Sequence, residues 1–448
     1  MKQTTVKEYI IAGVIGFLIG LRLLPGEVLG LIYMFVGAVC FYFAFNNNKE
    51  KVFTLLPYLI FTEIFMRRGA GSSGLYTVNG IPYLFMNYLF IAVFGIMVLK
   101  QKAALKLHSK AIIFIFFFGV IELLDLIRTQ DIVYGRSMVT NTVTLVVISL
   151  WACGNFLSPK MQHLIIRHLK IATVYLCGNI LVAHFTHDIS YNIASSSEAA
   201  NRMSPVQVSG YLGVGSSLLF LAIMDERLRN QLVLHITLLA VATTLMVLTF
   251  SRGGLYFLSA VIILYVLFNR QQVGKFLILF LLLPIGYLIY YYVTQTTGGL
   301  IEQRYSEEGS SGRDELVRAG FKLFEEEPLA GVGTGNYGQE ISERELFGGE
   351  SGAHNEFVRA AAEHGILGII TYWGFYLVII IEVIKRKKKE RDLAIYFLAL
   401  YCLIIVHNGL KISIQPYLLV LIIATPSLIR IPKRKHEQIV SNIITTSG

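Results

Sequence analysis

The chain is a succession of apolar runs, each about as long as a bilayer's hydrocarbon core is thick when wound as a helix. They fall at roughly 9–24, 28–45, 52–66, 81–99, 111–127, 138–157, 163–184, 206–224, 231–250, 253–268, 275–293, 365–384, 392–408 and 416–430. Inside lipid a backbone must satisfy its own polar groups, so runs of this length and composition can only be helices. Apolar residues make up 54% of the sequence and the mean hydropathy is +0.61, which excludes a water-soluble globule. The expected fold is an all-α integral membrane protein of about 12–14 transmembrane helices. Lys2 and Lys7 precede the first run, as in a signal peptide, but no small-residue cleavage site follows it. It is read as an uncleaved helix.

Charge placement predicts the orientation. With the N-terminus in the cytoplasm and the runs alternating, 25 of the 39 Lys and Arg residues fall inside, as the positive-inside rule requires. Both termini are then cytoplasmic, and the net charge of +10 needs no nucleic-acid partner to explain it. Of the 25 inner residues 17 are Lys, whereas of the 14 outer ones 12 are Arg: Arg22, Arg67, Arg68, Arg128, Arg136, Arg202, Arg252, Arg304, Arg313, Arg318, Arg344 and Arg359. Topology needs positive charge of either kind. A planar fork of donors that grips phosphate or carboxylate needs Arg. The alternative is that these side chains snorkel to lipid headgroups or pair with nearby carboxylates.

One stretch breaks the pattern. From Thr294 to His364 the chain turns polar, too long for a plain connection and therefore functional or disordered. Its pattern argues for order. Ser310 and Ser311 can cap a helix starting near Arg313, with Leu316, Ala319, Phe321 and Leu323 as its apolar face. Pro328 stops that helix, and Gly331, Gly333 and Gly335 supply a tight turn. The Glu325–Glu327 run reads as a solvated helix end. A second helix is expected from His354 towards Glu363. The organisation is therefore 1–293 as about eleven transmembrane helices, 294–364 as a large extracytoplasmic helical loop, 365–430 as about three more helices, and 431–448 as a basic cytoplasmic tail.

Other polar positions are fewer. Glu63 lies a turn before Arg67, and Glu122 and Asp125 precede Arg128; they either pair along their helices or line a cavity. Arg202 precedes a run opening with Ser209, Gly210, Gly213 and Gly215, small residues that allow close approach. Arg252 is followed by Gly253 and Gly254, whose N–H groups could open an anion site at a helix start. The GVGTGN turn at Gly331–Asn336 either offers N–H groups to a sugar or phosphate or is purely structural. His407 reads as structural, as do Cys40, Cys153, Cys177 and Cys402, which form no metal-spaced or disulfide framework. There is no P-loop, which argues against ATP-driven transport.

Taken together, SRGGLYFLSA, GRDELVRAGFKLFEEEPLAGVGTGNY and AHNEFVRAAAEHGILG resemble the O-antigen ligase/polysaccharide polymerase superfamily, and NRMSPVQVSGYLG resembles its upstream Arg-containing segment. The resemblance covers about Arg202 to Trp373; before Phe185 it extends only to hydropathy. It implies an inverting GT-C-type glycosyltransferase acting on polyprenyl-diphosphate-linked sugars at the outer face of the bacterial cytoplasmic membrane. Carried over residue by residue, it makes His354 catalytic and Arg202, Arg252 and Arg313 ligands of the diphosphate. Asn355, Arg318 and Arg304 are further substrate-binding candidates. Where the family often has an aromatic residue after the loop arginine, this chain has Leu316 and Val317. The partners implied are the lipid-linked oligosaccharide donor, a glycan acceptor, the bilayer, and a flippase and chain-length regulator.

The chemistry can be argued without the family. Negative charge builds on the leaving diphosphate as the glycosidic bond breaks, and the acceptor hydroxyl must lose a proton. The sequence has no Asp-x-Asp to hold a metal, so no metal and no cofactor are expected; fixed arginines are the available clamp. An imidazole has the right intrinsic pKa, ~6.5, to take the proton. His354 either does so, orients the acceptor, or merely caps its helix. The leading expectation is a polymerase joining lipid-linked repeat units. A ligase moving the glycan to another acceptor is the enzymatic alternative, and a lipid-linked oligosaccharide flippase is the alternative of another class.

Overall fold

The computed structural model describes residues 5–66, 77–78, 81–82, 84–101, 107–186, 188–225, 230–269, 273–306, 312–408 and 413–424. Among them the chain is helical, apart from one antiparallel pairing of Thr77–Val78 with Ile81–Pro82. The first half holds α1 (Val6–Gly20), α2 (Gly26–Phe45), α3 (Lys49–Met66), α4 (Phe85–Leu99), α5 (Ala111–Asp125), α6 (Ile132–Cys153) and α7 (Pro159–Thr186). Next come α8 (Pro205–Ile223), α9 (Leu232–Leu248), α10 (Gly253–Asn269) and α11 (Val273–Thr296). The polar stretch forms α12 (Leu300–Ser306), α13 (Arg313–Glu326), α14 (Tyr337–Glu343) and α15 (Glu356–Gly368). The chain closes with α16 (Gly374–Ile384), α17 (Lys388–Asn408) and α18 (Ile414–Ile423).

Among the described residues six helices are long and apolar enough to cross a membrane: Gly26–Phe45, Ile132–Cys153, Pro159–Thr186, Pro205–Ile223, Ile278–Thr296 and Glu356–Ile384. Phe85–Leu99, Leu232–Leu248, Gly253–Asn269 and Ile414–Ile423 are shorter apolar helices. The expected runs fall on helices, but α1, α4 and α5 are only 15 residues long. The apolar run at α1 overshoots its helix because Leu21, Leu23 and Leu24 belong to the turn, where Arg22 takes a left-handed conformation (φ +55°). The last expected run and the basic tail lie outside the described residues beyond Ala424.

One contiguous apolar core runs through the bundle, from Tyr9 and Phe53 to Tyr401 and Leu419. Its outside keeps Leu31, Phe35, Phe117, Leu283 and Tyr287 exposed, large apolar groups that lipid tolerates and water does not. Several helix starts follow from local sequence. Thr5 and Glu8 form a capping box on α1, Asp131 Oδ1 accepts from Val133 and Tyr134 N–H at α6, and Pro205 opens α8. Ser209 and Gly213 do let helices meet. A side chain at Gly254 would lie 2.1 Å from the Ser209 carbonyl oxygen, and one at Gly213 2.5 Å from the Gly254 Cα. This packs α8 tightly against α10.

Candidate functional site

The polar stretch is an ordered cap with its own small core: Leu316, Ala319, Leu323, Tyr337, Ile341, Ala353, Val358 and Ala362. Two details of α13 differ from expectation. Phe321 is exposed, and the buried stripe is Leu316, Ala319, Gly320 and Leu323. Helical spacing puts Phe321 off that face, while Gly320 lets Val358 approach to where a Cβ would be only 2.3 Å away. The N-cap is Gly312, in a left-handed conformation without a side-chain cap; Ser310 and Ser311 lie outside the described residues. Pro328 follows the last turn of α13, and Glu325–Glu327 are exposed as expected, with Glu326 accepting from Arg344 at 2.6 Å.

The cap is stitched to the bundle at a break in α15. Gly365 has φ +58°, ψ −143°, a conformation open to glycine alone, and interrupts the helical hydrogen-bond ladder. The Ala362 and Glu363 carbonyls accept instead from Val332 and Gly333 N–H at 3.0 and 2.8 Å, while Ile366 N–H donates to Pro328 O. Gly331 N–H donates to Glu327 O. These three N–H groups of the glycine turn are therefore committed to the protein, which decides for its structural reading. Arg128 donates to the Ala330 and Gly331 carbonyls, and Thr334 donates to the Glu122 carbonyl. Beyond the break the helix continues through a π-helical turn, Ile369–Trp373, into α16.

Beneath this seam lies a buried ionic network that the sequence reading did not assemble. Arg359 on α15 is 2% exposed and donates to three carboxylates: Glu356 Oε2 at 2.5 Å, Glu363 Oε2 at 2.6 Å and, across the bundle on α5, Glu122 Oε1 at 2.8 Å. His364 Nδ1 lies 2.7 Å from Asp125 Oδ2, and Asp125 also accepts from Arg128. Asp125 and Arg128 thus pair along their helix, whereas Glu122 turns to Arg359. The i, i+3 and i+4 spacing of Glu356, Arg359 and Glu363 was a signal for this triad. Glu122, Glu363 and His364 also bring three potential metal-ligand atoms within 4.8 Å of one another, all buried. Arg359 already grips both carboxylates, so the cation seated among these groups is a guanidinium.

The arginines expected on the outer side divide accordingly. Arg128, Arg344 and Arg359 are engaged by protein carboxylates and carbonyls. Arg318 is exposed. Arg252, Arg304 and Arg313 gather where α10, α12 and α13 begin or run, with Arg252 over the Tyr305 ring at 5.8 Å. Burial, with Arg252 nearby, lowers the pKa of Arg304. Burial lowers that of Arg313 too; Tyr256 opposes this, and Arg252 and Arg304 add to it. Burial pushes the Tyr305 phenol up to about 12, so it stays a neutral donor. One expected feature is changed: the Gly254 N–H at the start of α10 donates to Ser209 Oγ at 3.0 Å and is not open to an anion.

Arg202 stands with another partner. It is exposed, at φ +57°, next to Asn201 at φ +52°. Asn201 Nδ2 donates to the Asn179 carbonyl at 2.9 Å, and Arg22 Nη2 donates to Asn201 Oδ1 at 2.9 Å. The same loop reaches the Arg252 turn through Ser196 N–H, which donates to Thr249 O at 3.0 Å.

His354 occupies the turn before α15, half-buried, at φ +50°. The cap of α15 is Asn355: its Oδ1 accepts from Phe357 and Val358 N–H at 3.0 and 3.4 Å. Capping is therefore not the task of His354. His407 packs its ring against Gly253 and edge-on to Tyr256 and Phe257, a structural setting.

A multispan helical membrane protein with an ordered polar cap and gathered arginines is the class these features define. Residues 209–373, from α8 to the π-helical turn, match the family model described as O-Antigen ligase. This family comprises ligases and polymerases that transfer lipid-linked glycans. No curated protein matches the chain.

Proposed function

We propose that this protein is a polymerase that joins polyprenyl-diphosphate-linked oligosaccharide repeat units into a cell-surface polysaccharide. The transfer occurs at the outer face of the bacterial cytoplasmic membrane, without a metal. The observation that supports it most is the meeting of Arg252, Arg304 and Arg313 at the junction of bundle and cap. Guanidiniums gathered this closely favour an anion beside them, and the forks of Arg252 and Arg313 suit the oxygens of a diphosphate.

In this reading Arg202, Arg252 and Arg313 hold the diphosphate of the donor. An acceptor hydroxyl attacks the anomeric carbon from the face opposite the phosphate oxygen. The new C–O bond forms as the old one breaks, the configuration inverts, and the electron pair leaves on the diphosphate, where the arginines stabilise it. The hydroxyl proton passes to the His354 imidazole. Arg304, Arg318 and Asn355 are left for sugar contacts; for Asn355 these come from its amide NH2, since its oxygen caps α15.

Purified protein given only a lipid-linked repeat unit is the test. A ladder of products supports polymerisation. Transfer that starts only when a second acceptor is added replaces the reading with a ligase. Lipid movement across vesicles with no transfer replaces it with a flippase.

A further inference from the structure

Arg22 lies outside the residues matched to the family, in the turn between α1 and α2, yet it stands beside Arg202. Among the described residues neither arginine forms an ion pair. The protein instead uses uncharged Asn201 to hold Arg22, through its side chain at 2.9 Å and its carbonyl at 3.4 Å. Arg22, Asn201 and Arg202 all sit at positive φ, a conformation costing a non-glycine residue ~1–2 kcal/mol. The fold keeps two guanidiniums together at that cost, and among the described residues neither is paired with an acid. Burial lowers the pKa of Arg22, and the charge of Arg202 adds to the effect.

Directly below lies an apolar groove of about 370 Å³ between α1, α7 and α9. Gly13, Phe17, Leu18, Gly178, Leu181 and Leu238 are among its lining residues. Leu18 is one helical turn below Arg22, and Gly178 precedes Asn179, whose carbonyl holds Asn201. The upper lining of the groove therefore comes within about one helical turn of Arg22. Leu18 and Val14 on its rim are 49% and 53% exposed, so it opens sideways to lipid. α9, which forms another wall, leads at its upper end to Arg252.

We propose that Arg22 and Arg202 form a head-group site, and the α1–α7–α9 groove a chain site, for one isoprenoid diphosphate. This rests on the donor class proposed above and adds Arg22 and the groove to it. An apolar slot capped by two cations fits an amphiphile with a multiply charged anionic head. An ordinary anionic phospholipid fits less well, because it carries one phosphate charge and two chains. The turn of Arg202 is tied to Thr249, which leaves the diphosphate bracketed between the Arg22–Arg202 pair and the arginines around Arg252.

The test is binding to the full-length protein in detergent, which needs no turnover and so stands if the transfer reaction proves to be another one. The probes are undecaprenyl diphosphate, farnesyl diphosphate, inorganic pyrophosphate and phosphatidylglycerol. Undecaprenyl diphosphate should bind tightest, and phosphatidylglycerol should not displace it. Arg22→Gln, which can still donate to Asn201, should weaken all three diphosphates by about tenfold or more, the worth of a charged hydrogen bond. Arg22→Lys should fall between Gln and Arg. Leu238→Trp, filling the groove, should erase the advantage of the long chain and leave pyrophosphate binding unchanged. Wild-type affinity in Arg22→Gln would reduce Arg22 to a tether of the Asn201 turn and overturn the head-group site. Equal weakening of long and short chains in Leu238→Trp, or displacement by phosphatidylglycerol, would overturn the chain site. If Arg22→Gln does not fold, the Arg22→Lys and Leu238→Trp measurements decide.

Discussion

Arg359 on α15 and Glu122 on α5 are joined by a 2.8 Å ion pair in which the two side chains are 3% and 0% exposed. The pair links the polar cap to the membrane bundle at a point where neither charge can reach water. Glu356 and Glu363 share the same guanidinium, so Arg359 joins three buried carboxylates, with the His364 ring 3.7 Å from Glu122 and 3.9 Å from Glu363. Burying charges is costly, and such a pair adds little net stability over an apolar substitute, but it specifies how the two parts dock.

Removing one member should therefore be far worse than never having had the pair. Arg359→Ala should destabilise the protein by ~3–5 kcal/mol, since it strands buried carboxylates. Glu122→Gln, which keeps the shape and loses the charge, should cost less. Thermal unfolding in detergent reads both. An unchanged midpoint in Arg359→Ala would mean that the cap does not depend on this link.

The arginines around the proposed diphosphate should show a geometric signature. Arg252→Lys, Arg313→Lys and Arg202→Lys keep the charge but lose the two-pronged fork, so each should lose a large share of what its Ala variant loses in donor affinity and transfer rate. Arg252 and Arg313 sense each other's charge, so their double variant should depart from additivity. If Lys serves as well as Arg at all three positions, the outer arginine excess has another origin.

His354→Ala should lower transfer by ~10²–10⁴-fold, the usual worth of a positioned base, while donor binding stays close to wild type. Asn355→Ala is the useful comparison. It removes the cap of α15 and should cost ~1 kcal/mol of stability, a loss that His354→Ala should not share. Turnover of His354→Ala within a few-fold of wild type would remove this histidine from the mechanism.

Transfer should survive EDTA. The group closest to a metal cage, Glu122 with Glu363 and His364, is buried and already neutralised by Arg359. Activity lost with the chelator and restored by Mg²⁺ or Mn²⁺ would show that this cluster, or another, holds an ion.

The sequence by itself determined the class of fold and the place of the cap. Apolar runs of bilayer length leave no choice but helices, and Pro328 and the cap-core residues Leu316, Ala319 and Leu323 were legible because helix periodicity and proline act locally. Phe321 was misassigned to that face because a short, partly apolar helix admits more than one stripe, and only packing against Val358 selected Gly320. The tertiary structure alone decided how the charges are shared. Glu122 and Arg359 are 237 positions apart, and Arg22 and Asn201 179, so no spacing rule could pair them. The arginine excess expected on the outer side was visible in the sequence, but which arginines carboxylates engage, as they do Arg344 and Arg359, depends on helix contacts. The same holds for the glycine turn: its N–H groups looked available until the break at Gly365 supplied the carbonyls that take them.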